Sequence, residues 1–238
     1  MTSLTSNPIT EDLARRIPKR VHADMPSTLP DAWRTFFRYN SPRIMLGLAL
    51  ISVVAKIAVG GWTRWDLAVA AVVIGFWPVM EWLIHVFILH FKPITILGRK
   101  IDPLTAQKHR AHHRDPWRLE LVFIPTHILP YAGPLALGFY WLVLPTVPLA
   151  LTALATYFVF SFHYEWVHYL VHTRYKPKSR IYNRLWKNHR LHHFMNENYW
   201  YGVSMLSGDK LLKTAPAREA VEPSPTCRNL GESGSLPG

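Results

Sequence analysis

Cysteine is almost absent: Cys227 is the single one in 238 residues. That excludes a disulfide scaffold and any cysteine-ligated zinc or iron–sulfur site. Acidic residues are also scarce, 15 against 27 lysines and arginines, for a formal net charge of +12. Such an excess points to nucleic acid or to a membrane surface. Charged residues make up only 18% of the chain and tryptophans number 10, a poor composition for a nucleic-acid binder. The first 30 residues lack an apolar run of signal-peptide type.

Apolar blocks and histidines are in excess. Residues 44–60, 66–91, 121–144 and 147–172 are apolar almost throughout. A bilayer core of about 30 Å takes roughly 20 helical residues, so four transmembrane helices are expected, paired as two hairpins. Pro145 and Pro148 mark the turn between the last two. Seven basic residues precede Ile44, seven lie between Phe91 and Leu121, and eleven follow His172, leaving only Lys56 and Arg64 elsewhere. Four crossings bring all three basic segments to one side, the positive-inside pattern. Buried helices of a soluble protein would have no cause to sort charge in this way. The expected fold is all-α and integral to the membrane, a multi-pass protein with four transmembrane helices and a cytoplasmic, histidine-rich helical cap. Both termini are cytoplasmic in this reading, and anionic lipid, not nucleic acid, accounts for the charge.

Three regions follow. Residues 1–43 read as a cytoplasmic lead with an interfacial helix, in which Trp33, Phe36 and Phe37 share a face. Residues 44–212 form the membrane domain. Residues 213–238, rich in Pro, Ser, Gly and Glu, read as a disordered tail holding Cys227 as an inert thiol.

Eleven of the thirteen histidines fall into four short clusters. His85 and His90 close the second apolar block, and His163, His168 and His172 close the fourth. His109, His112 and His113 lie in the basic segment between them, and His189, His192 and His193 follow the fourth block. His22 and His127 stand alone. Positions i, i+3 and i+4 share a helical face, so each H-x-x-H-H triplet is expected to aim three imidazoles at one point. His168 and His172 are paired by the same rule. His85 and His90 are five apart and need a helix end or a π-type bulge to meet. Asp102-Pro103 and Ser179 are starts for the two triplet helices.

The arrangement is also an internal repeat: an apolar hairpin ending in Glu-Trp and two histidines, then His-Arg-x-His-His. Two such half-sites pool ten imidazoles, enough for two metal ions. Imidazole serves zinc, iron, copper and nickel alike. The triplets contain no carboxylate, unlike the ligand sets of ferritin-type bundles. A polar or pH-sensitive cluster explains a single histidine but not two triplets and two pairs.

The ordered series H-x-x-x-x-H, H-x-x-H-H, H-x-x-x-H, H-x-x-H-H resembles the fatty acid hydroxylase/sterol desaturase superfamily of membrane di-metal oxidases, over about residues 44–212. H-R-A-H-H-R-D-P at 109–116, with Arg118-Leu and Ile124-Pro, is similar to the fatty acid 2-hydroxylases. H-Y-L-V-H-T-R at 168–174, and Arg184-Leu before H-R-L-H-H at 189–193, are similar to carotenoid hydroxylases. N-E-N-Y-W-Y-G at 196–202 resembles the segment after the last histidines across the superfamily.

The resemblance implies two iron ions, replaceable by zinc on purification, held by His85, His90, His109, His112, His113, His168, His172, His189, His192 and His193. It implies O2 as co-substrate and hydroxylation of a lipid C–H bond (fatty acyl, sterol or carotenoid-like), with desaturation as the near alternative. His163 is additional to the pattern. The 43 residues before Ile44 are too few for a fused cytochrome b5 domain, so a separate electron donor, cytochrome b5- or ferredoxin-like, is expected.

Metal-bound imidazoles usually donate their second N–H to a carboxylate or carbonyl. Glu81, four residues before His85, and Glu165, three before His168, are the expected partners; Asp115 and Asp209 are loop acids. Trp82, Trp117, Trp166, Trp186 and Trp200 are expected near the cytoplasmic boundary, most of them in the aromatic belt and some as lining of a substrate tunnel. Two other classes compete. A bis-histidine haem electron carrier would pair histidines on spans but has no use for triplets in basic loops. A metal transporter would place its ligands near mid-membrane, not at one end.

Overall fold

The computed structural model describes residues 25–231. The expectations for the lead before Met25, including His22, and for residues 232–238 lie outside the described residues.

The chain is mainly helical. Helix α1 (Leu29–Phe36) starts at Thr28, whose hydroxyl accepts from the Asp31 N–H at 3.3 Å. Ala32 and Phe36 are fully buried among Phe123, Tyr169 and Leu170, while Trp33 is half-exposed. The expected interfacial face is therefore divided. Phe36 turns into the protein, where Trp166, Tyr169 and Phe123 offer rings 5.1–5.7 Å away.

Among the described residues, four segments are long and apolar enough to cross a membrane: Asn40–Val59, Arg64–Leu89, Leu119–Val143 and Val147–Val171. They contain α2 (Asn40–Val59), α3 (Arg64–Leu83), α5 (Leu129–Val143) and α6 (Val147–Val171). α6 is central: α2, α3 and α5 all pack on it, and its main partner is α2 rather than its sequence neighbour α5. Lys56, the one charge within the first block, is buried and pairs at 2.7 Å with Asp66, whose carboxylate also accepts from Thr152 of α6 at 2.5 Å. Asp66 closes a capping box with Thr63 as well. One acid thus ties together three spans at the end remote from the histidines.

Two spans are irregular: the second at the spacing where the sequence requires a helix end or a π-type bulge, the third where the sequence predicts plain helix. α3 passes into a π-helix at Ile84–Leu89, and the His90 N–H reaches the His85 carbonyl at 3.0 Å. The third span is broken, with 3-10 turns at Leu119–Leu121 and Thr126–Ile128 before α5 begins. Pro125 and Pro130 supply no N–H to a continuous helix. Alone, α5 is about 22 Å long at 1.5 Å per residue.

Two further corrections apply. A β-hairpin, β1 (Ile94–Ile96) with β2 (Arg99–Ile101), interrupts the all-α pattern. Its turn residues Leu97 and Gly98 both have positive φ, 49° and 74°, the backbone of a tight hairpin turn. The tail expected from composition is placed from Thr214 to Gly231. Ser224 N–H bonds the Met195 carbonyl at 2.7 Å, the Thr226 hydroxyl bonds Glu197 at 2.5 Å, and Val221 is buried with Met195 and Trp200. Its polar residues bond the preceding segment, which composition does not reveal.

The remaining helices are α4 (Leu104–Arg114), α7 (Arg180–Phe194) and the short α8 (Ser207–Leu211). α4 follows Pro103 and α7 is capped by Ser179, as expected. α8 lies against α3 so closely at Gly208 that a Cβ would collide with the Pro78 carbonyl.

Candidate metal centre

Four elements converge on one region. The π-helical end of α3 carries His85 and His90, and α4 carries His109, His112 and His113. α6 carries His168 and is capped by His172, and α7 carries His189, His192 and His193. The π-helix gives the i, i+5 pair the proximity that an α-helix denies it: the His85 and His90 rings are 4.9 Å apart. All ten imidazoles meet there, and all but the half-buried His90 are buried.

They form two groups of five that do not follow the triplets. One comprises His85, His90, His109, His113 and His192; the other comprises His112, His168, His172, His189 and His193. Within each group the donor nitrogens lie within 4.8 Å of one another. The middle histidine of each triplet has crossed over. His112 is 4.5 Å from His172 and 4.7 Å from His193 between ring centroids, but 5.7 Å from His109. His192 is 4.5 Å from His85 but 5.9 Å from His189. This corrects the expectation of one point per triplet. At about 100° per residue, i and i+4 diverge by only about 40°, whereas i+3 and i+4 diverge by about 100°. The outer pair serves its own group, and the middle ring reaches the group facing it.

The nitrogens are suited to a cation. His85, His192 and His113 turn Nδ1 to the carbonyls of Tyr201, Tyr199 and Cys227, at 2.7, 2.8 and 2.8 Å. His168 and His172 face the backbone of Val122 and Pro116. A carbonyl requires Nδ1 to carry the proton, which leaves Nε2 as a lone pair. Nε2 of His85, His90, His112, His168 and His192 is buried without a hydrogen-bond partner. Nε2 atoms also face each other at 2.9 Å between His172 and His189, and at 3.0 Å between His189 and His193. Burial, reinforced by neighbouring imidazoles, holds His90, His109, His112, His172, His189, His192 and His193 well below the usual histidine range. Burial also brings His113 to about 3. Neutral imidazole nitrogens converging in a dry site, five of their Nε2 atoms without a hydrogen-bond partner, are what metal ions would satisfy.

The two glutamates act differently from the direct partnership that the sequence suggests. Glu81 accepts from the Ser204 N–H at 2.8 Å, the Ser204 hydroxyl at 2.6 Å and the Val203 N–H. Glu165 accepts from the Ile124 N–H at 2.9 Å and from Ser41 at 2.5 Å. Each acid captures an irregular backbone segment that also faces the histidine one turn further along the same helix; at Glu81 that segment's Tyr201 carbonyl bonds His85. At Glu165 the captured N–H is one released by the break in the third span, where an unpaired donor would be costly.

Sequence reading missed the carbonyls of Tyr199, Tyr201 and Cys227, since main-chain acceptors have no residue signature. It undervalued Asp209, which is fully buried beneath the same segment. Trp117, Trp186 and Trp200 are buried rather than in a belt, and Arg190 lies between Trp117 and Trp186, 4.8 and 4.2 Å from the rings. His163 belongs to neither group and packs near Phe160. His127 is exposed, and Asp115 ends α4.

Comparisons with known proteins agree with this centre. A family described as fatty acid hydroxylase matches residues 70–214, which include all ten histidines. Dihydroceramide fatty acyl 2-hydroxylase FAH2 of Arabidopsis thaliana is 30% identical over 147 residues, 61% of this chain and 59% of the relative. FAH1 of the same plant is 26% identical over 148 residues, 60% and 59% of the two chains. The match thus spans about three fifths of each curated relative's length. The solved hydroxylase domain of scs7p has a TM-score of 0.61 at 20% identity, covering 77% of this chain and 68% of that one, which shows a shared fold. The relatives fall on the fatty acid 2-hydroxylase side of the two local resemblances.

Proposed function

The chain belongs to the fatty acid hydroxylase family, and on that premise we propose that it is a membrane oxidoreductase using O2 and two iron ions to hydroxylate an acyl C–H bond of a lipid. The observation that carries the reading is the gathering of ten buried histidines into two groups of five. His85, His90, His109, His113 and His192 would hold one ion, and His112, His168, His172, His189 and His193 the other. The acyl chain is chosen among lipids because the matched relatives are named as fatty acyl 2-hydroxylases.

Bound iron supplies the two-electron activation of O2 that an unactivated C–H bond requires. The chain's own residues do the rest. The buried imidazoles present neutral donors and exclude water. The carbonyls of Tyr201, Tyr199 and Cys227 hold three rings in one tautomer and one orientation. Glu81 and Glu165 immobilise the segments that position His85 and His168. Spans α3 and α6 lead from the apolar phase to the ligands, so an acyl chain reaches the centre along them. Nitrogen ligands bind zinc more tightly than ferrous iron, so purified protein can carry zinc.

The basic segments flank the histidines in sequence, and the positive-inside rule puts them on the cytoplasmic side. Electrons are supplied there by a separate protein, cytochrome b5- or ferredoxin-like. A haem axis takes two imidazoles, and five per group favour metal ions bound directly.

The test is chemical. Iron-loaded protein in lipid nanodiscs, given a reductant, O2 and acyl lipids, should yield products one oxygen atom heavier, with the atom drawn from labelled O2. Absence of any oxygenated lipid from a sample holding two irons per chain, across acyl, sterol and carotenoid substrates, would overturn the reading.

A further inference from the structure

The carbonyls that orient the imidazoles come from two separate stretches of chain. His85, His192 and His113, all in one group, bond Tyr201, Tyr199 and Cys227 of the C-terminal segment. His168 and His172, in the other group, face the backbone of Val122 and Pro116 in the segment after α4.

Residues 199–204 form neither helix nor strand. Trp200 sits there at φ 57°, a left-handed conformation unfavourable for a bulky side chain, so this backbone must be held by its surroundings. Asp209 holds it. Its Oδ1 accepts from the Tyr201 N–H at 2.9 Å and the Thr214 hydroxyl at 2.7 Å. Its Oδ2 accepts from the Gly202 N–H at 2.7 Å and from Asn188 at 3.2 Å. Asn188 also donates to the Gly202 carbonyl at 2.8 Å. A Cβ on Gly202 would lie 2.9 Å from Oδ2, so only glycine allows this approach.

We propose that Asp209 is a positioning residue that sets the affinity of one metal ion and not the other, by fixing the Tyr201 carbonyl that orients His85 and, through the adjoining peptides, the Tyr199 carbonyl that orients His192. The inference rests on the two-ion reading above. Every backbone group facing the Asp209 carboxylate is a donor. An amide there turns one acceptor into an N–H pointed at other N–H groups, and the segment must move. The two carbonyls lose their aim, and His85 and His192 lose a fixed ring orientation. The other group's carbonyls lie on chain that Asp209 does not hold. Loss of such outer support typically lowers metal affinity 10–100-fold.

The experiment is a chelator challenge on full-length protein in detergent, loaded with zinc and counted by elemental analysis. Wild type should hold two ions per chain. Asp209→Asn should release one ion at a 10–100-fold lower chelator concentration and keep the second as wild type does. Combining it with His168→Ala, which empties the other group, should leave no ion at that concentration. Thr214→Val removes one hydrogen bond to Oδ1 and should loosen the same ion less, a reading that survives if Asp209→Asn does not fold. Release of both ions together, or of neither, from variants that elute as monodisperse protein would overturn the inference alone. A wild type that never holds two ions would overturn the two-ion reading and this inference with it.

Discussion

Glu81 and His85 grip the same loop. The carboxylate takes the N–H groups of Val203 and Ser204, and one turn further along the helix the imidazole takes the Tyr201 carbonyl at 2.7 Å. Glu165 and His168 are placed alike on α6, where Glu165 holds the Ile124 N–H and His168 faces the Val122 backbone. A ligand and an acid on one helical face thus share a stretch of main chain, and the ring cannot turn unless that stretch moves.

Glu81→Gln should therefore lower turnover about 10–100-fold, the usual effect of losing outer support to a ligand. Glutamine replaces one acceptor oxygen with an N–H2 group, which then faces either the two backbone N–H groups or the Ser204 hydroxyl. Turnover per bound metal is the quantity to measure, with exposed His127→Ala as a control that stays near wild type. An unchanged Glu81→Gln enzyme would show that the loop positions itself.

The crossing of His112 and His192 predicts which double variants lose which ion. His112→Ala with His168→Ala strips one group and should leave one ion per chain. His109→Ala with His112→Ala damages both groups and should leave none. Elemental analysis after gel filtration distinguishes them, and the reverse result would return each triplet to a single ion.

Orientation is testable by labelling in a Cys227→Ser background. Leu97→Cys, at the 98% exposed hairpin tip, should resist a membrane-impermeant thiol reagent in intact cells and react after lysis. Thr146→Cys, between the third and fourth spans, should react in intact cells. The opposite pattern reverses the topology.

Lys56→Met should destabilise the protein without changing chemistry at the histidines. It strands Asp66, buried among three spans, and removing one partner of a buried pair typically costs about 3–5 kcal/mol. Lys56→Met with Asp66→Asn should recover part of the loss, read as melting temperature in detergent. A double variant less stable than the sum of the singles would contradict a simple pair.

Metal-free protein should be acid-sensitive. Burial holds His113 at about 3, whereas the unfolded imidazole titrates near 6.5. The unfolded state therefore binds the extra proton first. Stability is full above pH about 6.5 and falls as pH drops towards 3, by about 1.4 kcal/mol per unit for each such ring. Denaturation midpoints against pH measure this, and a rise in stability on acidification would contradict it. Bound metal should shift the loss to lower pH.

The sequence by itself determined the inventory: four apolar blocks, the two histidine-triplet helices with their starts at Pro103 and Ser179, and the ten candidate ligands. These depend on residue type and local period, which a single chain displays. That His85 and His90 need either a helix end or a π-type bulge was legible for the same reason, since five residues do not close on an α-helical face, and the structure takes the π-helix. Only the tertiary structure decided which imidazoles fall into one group, because the directions of His112 and His192 acquire meaning from the helix facing them. It alone decided that Glu81 and Glu165 reach histidines through backbone, and that residues 214–231 fold beneath the site. Those contacts are made by carbonyls and N–H groups common to every residue, so side-chain chemistry carries no trace of them until the chain is folded.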